Sequence, residues 1–277
     1  MKPLPQPLRI LQSIDGQAET LVLAFSGWMD GGDVSTGTVS RLVHLLEAQT
    51  VAEIDPEPFY IYNMPGPMEV AALFRPPVEI EEGLIRSCEM PRNAFSLHRD
   101  GRLALFEGKE PNLHWRLFGE CVFALAERLG VRRILYVGSF AGGVPHTRQP
   151  RLFVTCSDAT LLPEMEKYAT RRSGYRGPGS FNSYLMSQAG TVGIEMISLV
   201  AEIPSYLQGT NPMCIEAVTR RLAKILKLPL DLDALRQAST EWELQISSLV
   251  EENKELADTV RQLEEAYDNE LIQESEA

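Results

Sequence analysis

The chain has 277 residues, 44% of them hydrophobic and 23% charged, the balance of an ordinary soluble globular protein with ample length for a core. Its formal charge is −12, yet from Ser239 onward twelve acidic residues face only Lys254 and Arg261, so that segment carries −10 and the preceding 238 residues −2. There is no basic stripe and no run of roughly 18 to 20 apolar residues, which excludes nucleic-acid backbone binding and a membrane span from expectation.

Residues 1–12 contain Pro3, Pro5 and Pro7 and no apolar run, so no signal peptide is expected. Cys88, Cys121, Cys156 and Cys214 lie too far apart for paired metal ligands or a disulfide framework. They read as buried free thiols in a cytoplasmic protein with neither metal nor cofactor.

The first strong element is the apolar run Leu21-Val22-Leu23-Ala24-Phe25, short and unbroken, as a strand covered on both faces is. It leads into Gly27-Trp28-Met29-Asp30-Gly31-Gly32, a glycine-rich turn, and then into a helical pattern over residues 33–48 with Asp33 as its N-cap. Such a strand-turn-helix unit places its turn at the carboxyl edge of a parallel sheet, where open α/β folds hold ligands. Trp28, Asp30 and Gly31 are its candidate ligand contacts.

Further strands are expected at residues 59–62, 84–89, 102–107, 133–138, 152–156 and 192–201, with helices at 112–129 and 211–227. This alternation predicts an α/β domain over residues 1–230 with a largely parallel central sheet. Residues 78–110 depart from it as an antiparallel meander, where Asp100-Gly101 is a hairpin signal.

A second glycine-rich loop follows the strand at 133–138: Gly138-Ser139-Phe140-Ala141-Gly142-Gly143-Val144-Pro145-His146-Thr147-Arg148. Gly142 and Gly143 would let backbone approach a ligand. Ser139, His146, Thr147 and Arg148 supply hydroxyls, an imidazole and a guanidinium suited to phosphate or carboxylate. The plainer reading is a tight loop with Arg148 salt-bridged at the surface. His44 lies mid-helix and His98 and His114 are isolated, and all three read as surface or core histidines. A third loop, residues 173–180, would bring Tyr175 and Arg176 to the same crevice, and Glu202, at the end of the last strand, would close it with negative charge. Pairings of Ser139 with His146, or of Thr147 with Asp30, lack the spacing of any nucleophilic motif. Walker, His-Glu-x-x-His, Cys-x-x-Cys and Gly-x-Ser-x-Gly signatures are absent.

Residues 231–277 form an acidic, heptad-patterned helical extension. After Trp242, Ile246, Asn253, Val260 and Tyr267 fall at a and Leu249, Leu256 and Leu263 at d, the preferences of a parallel two-stranded coil. Val250 and Ala257 at e widen the stripe, which fits a helix packed on its own domain equally well.

Taken together, the first turn, Gly142-Gly143-Val144-Pro145-His146-Thr147-Arg148, Tyr175-Arg176-Gly177-Pro178 and Ala201-Glu202-Ile203-Pro204-Ser205-Tyr206 resemble the proteasome assembly chaperone family of the second-subunit type, in its prokaryotic form, over residues 8–267. The resemblance implies a mixed central sheet flanked by helices, like that of purine nucleoside phosphorylases. It also implies a homo-oligomer, dimer or trimer, working through a protein partner, as eukaryotic and some archaeal relatives do on the proteasome α-ring. The final Gln273-Glu274-Ser275-Glu276-Ala277 departs from the hydrophobic-Tyr-x tail with which such chaperones often dock, leaving the acidic helix as the expected partner surface. Two functions follow. One is an oligomeric chaperone-like protein, and the alternative is a protein or enzyme that binds a nucleoside, phosphate or carboxylate among the glycine-rich loops.

Overall fold

The computed structural model describes residues 3–14 and 18–276. Met1 and Lys2 of the proline-containing start, and Ala277 of the tail, lie outside the described residues. The chain begins with β1 (Leu8–Ile10), β2 (Thr20–Ser26), α1 (Val34–Leu45) and β3 (Gln49–Ile54). An excursion follows, with α2 (Met68–Ala72), β4 (Val78–Glu81) and β5 (Leu84–Cys88). The chain then returns through β6 (Ala94–Leu97), β7 (Leu103–Lys109), α3 (Trp115–Leu129) and β8 (Arg133–Gly142). The second half holds β9 (Leu152–Cys156), α4 (Leu162–Glu166), β10 (Arg171–Arg172), α5 (Phe181–Ala189), β11 (Glu195–Pro204) and α6 (Pro212–Leu226). Two helices end it, α7 (Asp233–Glu251) and α8 (Lys254–Glu276).

Nine strands form one mixed sheet in the order β1-β3-β6-β7-β2-β8-β11-β9-β10. Its centre, β7, β2, β8 and β11, is parallel, so these four strands end at one rim. Alternate residues of β2 feed two cores, which is why its apolar run is unbroken. Leu21, Leu23 and Phe25 join Phe106, Phe118 and Phe181 beneath α3 and α5. Val22 and Ala24 meet Val39, Leu42, Val218 and Leu222 of α1 and α6 on the other face. Phe25 contacts the rings of Phe106 and Phe181 at centroid distances of 5.2 and 5.4 Å. Burying such a side chain contributes about 1.5–3 kcal/mol.

The α/β architecture and mixed sheet are as expected, with three local differences. Residues 59–62 form no strand: Phe59 and Tyr60 are buried as core-filling coil, and β3 takes the sheet position instead. The expected meander divides, because β6 and β7 pair within the main sheet while β4 and β5 pair only with each other. Of the four cysteines, Cys121 and Cys214 are buried but Cys88, on the β5 edge, is exposed.

The acidic extension is not one rod. It breaks between Glu251 and Lys254, where the Asn253 side chain accepts a hydrogen bond of 3.2 Å from the Leu256 amide. A polar residue at a heptad a position thus serves as a helix cap. The two helices fold back on the domain: Val250, Val260 and Tyr267 are buried and Trp242 packs against the α1/α6 core. Ile246, Leu256 and Leu263 are half-buried, whereas Leu249 is exposed. A continuous coiled coil through Trp242 and Tyr267 is therefore replaced by a helical pair that spends most of its apolar stripe on its own chain.

Candidate functional site: a carboxyl rim under a helical lid

The first glycine-rich turn is held by Asp30. Its carboxylate accepts the amides of Ser35 and Thr36 at 2.8 and 3.1 Å and the Thr36 hydroxyl at 2.7 Å. Asp30 is thus the side-chain cap of α1. Asp33, expected in that role, has φ of 52° and makes no cap bond, and its carboxylate instead accepts from Thr210 at 2.5 Å. The turn can wrap this way because Gly32 sits at φ 66°, where a Cβ would also press on Asn211 at 2.9 Å. Burial pushes the Asp30 carboxyl up to about 6 against the pull of its three donors.

The second loop is stitched to the first. The Ser139 amide donates to Met29 O at 2.8 Å and its hydroxyl to Gly31 O at 2.7 Å. Ser139 is fully buried, so its hydroxyl is a fastener and not a nucleophile. Glu202 faces this loop from β11, accepting from the Gly143 amide at 2.7 Å and pairing with Arg151 at 3.1 Å. Gly142 must be glycine, because a Cβ there would collide with the Glu202 carboxylate.

His146, Thr147 and Arg148 do not line an open crevice, because α7 and α8 cover them. Arg148 grips Asp268 through two bonds of 2.9 and 2.8 Å, and Thr147 donates to Glu264. Arg151 and Arg171 both pair with Glu270, and the Arg151 guanidinium stacks 4.4 Å from the centre of the Tyr267 ring. The inner acids of the lid thus meet the basic residues of the rim. This accounts for part of the acidity of the extension.

His146 is buried between body and lid. Its Nδ1 lies 2.7 Å from the Tyr206 hydroxyl and its Nε2 3.2 Å from the Ser247 hydroxyl on α7. Tyr206 also accepts the His146 amide at 2.8 Å. The arrangement that leaves no proton idle has Tyr206 donating to Nδ1 and Nε2–H donating to Ser247. In that tautomer the imidazole offers Ser247 no lone pair and cannot act as its base. Burial lowers the His146 pKa, with Glu264 opposing the shift.

The third loop contributes differently. Tyr175 is exposed and its hydroxyl bonds Pro178 O within its own loop at 3.1 Å, and Arg176 is exposed as well. Among the described residues neither makes a side-chain contact with the rim, because Gly177 lets the loop close on Tyr175 instead. The end of the loop does reach the rim. Glu110 accepts the Trp28 amide at 3.2 Å and the Phe181 amide at 2.6 Å, joining the first turn to the start of α5. The Trp28 side chain stays exposed.

Glu110, Arg151, Ser247, Glu264 and Asp268 were not among the residues singled out from sequence, and Tyr206 stood there only as part of a motif, without a role. The available signal was global: an acidic extension in a chain whose basic residues Arg148, Arg151, Arg171, Arg172 and Arg176 cluster in one stretch. Among the described residues no three His, Cys, Asp or Glu side chains group as metal ligands, and no helix is long and apolar enough to cross a membrane.

Fold and rim define a class: a mixed α/β sheet whose parallel strands end under an acidic helical lid, with a protruding arm between β3 and β6. The PAC2 family model matches residues 24–250, and the chain belongs to that family. A PAC2 family protein from Streptomyces avermitilis is 28% identical with a TM-score of 0.74, covering 87% of this chain and 99% of that one. A Mycobacterium tuberculosis proteasome-assembly chaperone homologue is 27% identical with a TM-score of 0.74 and the same coverage. A second M. tuberculosis protein, of unknown function, is 25% identical, with a TM-score of 0.83 over 99% of this chain and 93% of that one. No curated protein sequence matches.

Proposed function

We propose that the protein is a self-associating assembly factor with a proteasome-assembly-like role, acting in the cytoplasm through protein–protein contact. Family membership and the likeness to the M. tuberculosis chaperone homologue support the role. The observation that carries the contact surface is the arm. Ile80, Leu84 and Ile85 on the β4–β5 hairpin are 65%, 60% and 71% exposed, and Met68 and Leu73 on the neighbouring α2 segment are 80% and 76% exposed. A two-stranded hairpin that pairs with nothing else is marginal in water, and apolar patches of this kind mark interfaces. A second copy of the chain is the occupant that fits: every molecule presents the same two unpaired strand edges, and symmetric pairing would satisfy both. This moves self-association from the acidic helices, whose stripe is largely spent, to the arm.

A ligand at the rim would require the lid to lift, since His146, Thr147 and Arg148 are engaged by it. The test of the assembly role is to mix purified proteasome α subunits from the source organism with the protein and follow ring formation by native mass spectrometry. Faster or more complete rings support the role; an unchanged course of ring formation overturns it.

A further inference from the structure

Away from the lid, a half-open cavity of about 460 Å³ lies where the root of the arm closes over β3, β6 and β7 beside α1. That size is typical of small-molecule sites. Its roof is apolar, with Phe74, Pro76, Met90 and Pro91 from the two legs of the arm. Its floor is polar and includes Ser96 and Glu107 from the sheet and Thr36 from α1.

The charges along the wall are unequally satisfied. Arg92 donates to Glu53 at 2.9 Å and to Thr50 at 3.3 Å. Arg75 donates to Asn63 at 3.2 Å, and the Lys109 ammonium stands over the Tyr60 ring at 5.9 Å. Each basic group therefore has a partner. The half-buried Glu107 carboxylate has no hydrogen bond or ion pair among the described residues. Elsewhere in the lining, the Tyr62 hydroxyl is buried without a hydrogen-bond partner. Of the lining carboxylates without a partner, Glu107 is half-buried and Glu89 exposed, so Glu107 and the Tyr62 hydroxyl are the shielded groups of the cavity whose needs are unmet.

We propose that this cavity binds a small organic amine as its protonated cation, with the ammonium donating to Glu107, the Tyr62 hydroxyl oxygen available to accept a further N–H of it, and its apolar body against Phe74, Pro76 and Met90. Burial and the neighbouring Asp30 raise the Glu107 pKa, with Arg92 opposing the shift, and a bound cation would act in the same sense as Arg92.

The experiment is isothermal titration of the full chain at pH 7.5 with phenethylamine, 2-phenylethanol and 3-phenylpropionate, which share a body and differ in charge. The amine is expected to bind about tenfold or more tightly than the alcohol and the acid. Glu107→Gln is expected to remove about tenfold of that affinity, and Phe74→Ala, which leaves the charge in place, to weaken it as well. An amine that gives no binding, an acid that binds equally, or an affinity unchanged in Glu107→Gln overturns the site. Should Glu107→Gln fail to fold, Phe74→Ala decides: weakened amine binding supports the site and unchanged binding overturns it. None of these readings depends on α-ring assembly.

Discussion

Arg148 and Asp268, 120 residues apart in the chain, meet through two parallel hydrogen bonds of 2.9 and 2.8 Å, and the pair ties the carboxyl rim to the last helix. The guanidinium beside it holds the Asp268 carboxyl below the usual carboxylate range. A planar fork on a carboxylate fixes orientation as well as attraction. Arg148→Ala is therefore expected to loosen the lid and leave the sheet intact. Hydrogen exchange of residues 254–273 should quicken several-fold while β2 and β8 stay protected. Added salt should act in the same direction, more weakly, because the pair is partly exposed. Unaltered exchange in the last helix would show that apolar packing alone holds the lid.

What could be read beforehand follows a physical division. β2 was legible because both its faces are buried, and α3 and α6 because one face is. β1 and β3 were not, since Gln49, Thr50 and Glu53 break any apolar run at the sheet edge. Phe59 and Tyr60 misled because coil that fills a core carries the same residues as a strand. The heptads announced helix correctly but hid the break, since Asn253 is equally at home inside a coil and at a cap. His146, Thr147 and Arg148 stood out by type. Their partners Ser247, Glu264 and Asp268 lie about a hundred residues on, beyond any local pattern.

Asp30 predicts a pH effect with a definite sign. Its carboxyl rises from 3.8 to about 6 on folding, so the folded state favours the protonated form. Its contribution to stability is full below pH 3.8 and is lost as the pH rises through about 6. A shift of that size corresponds to at most about 3 kcal/mol. Asp30→Asn keeps an acceptor for the Ser35 and Thr36 amides and removes the titration. Urea unfolding at pH 4.5 and 7.5 should show the variant losing less stability than the parent across that interval. Equal losses in the two proteins would contradict the assignment.

The arm predicts a separable change in assembly. Ile80 and Ile85 are 65% and 71% exposed and face each other across the hairpin, so Ile80→Glu with Ile85→Lys, which sets opposite charges side by side, should leave the fold within about 0.5 kcal/mol of the parent per site when both are monomeric. Light scattering should find the parent as an oligomer and the double variant at the 30.9 kDa of one chain. A parent that is already monomeric at high concentration removes the arm as a self-association surface. An oligomer that survives both charges does the same.

Gly142 and Glu202 predict a coupling that stability measurements can isolate. Glu202 is 7% exposed and holds both the Gly143 amide and Arg151, so it has little freedom to retreat. Gly142→Ala drives a methyl group into that carboxylate and is expected to cost about 1–3 kcal/mol. Glu202→Ala alone also destabilises, because Arg151 loses a partner that screens it in a half-buried position. In the double variant the methyl group enters the space the carboxylate left, so the combined loss should fall short of the two single losses by about 0.5–3 kcal/mol. Additive losses would mean that the glycine is required for backbone geometry elsewhere in the loop, and that the contact between β8 and β11 at the rim is not what selects it.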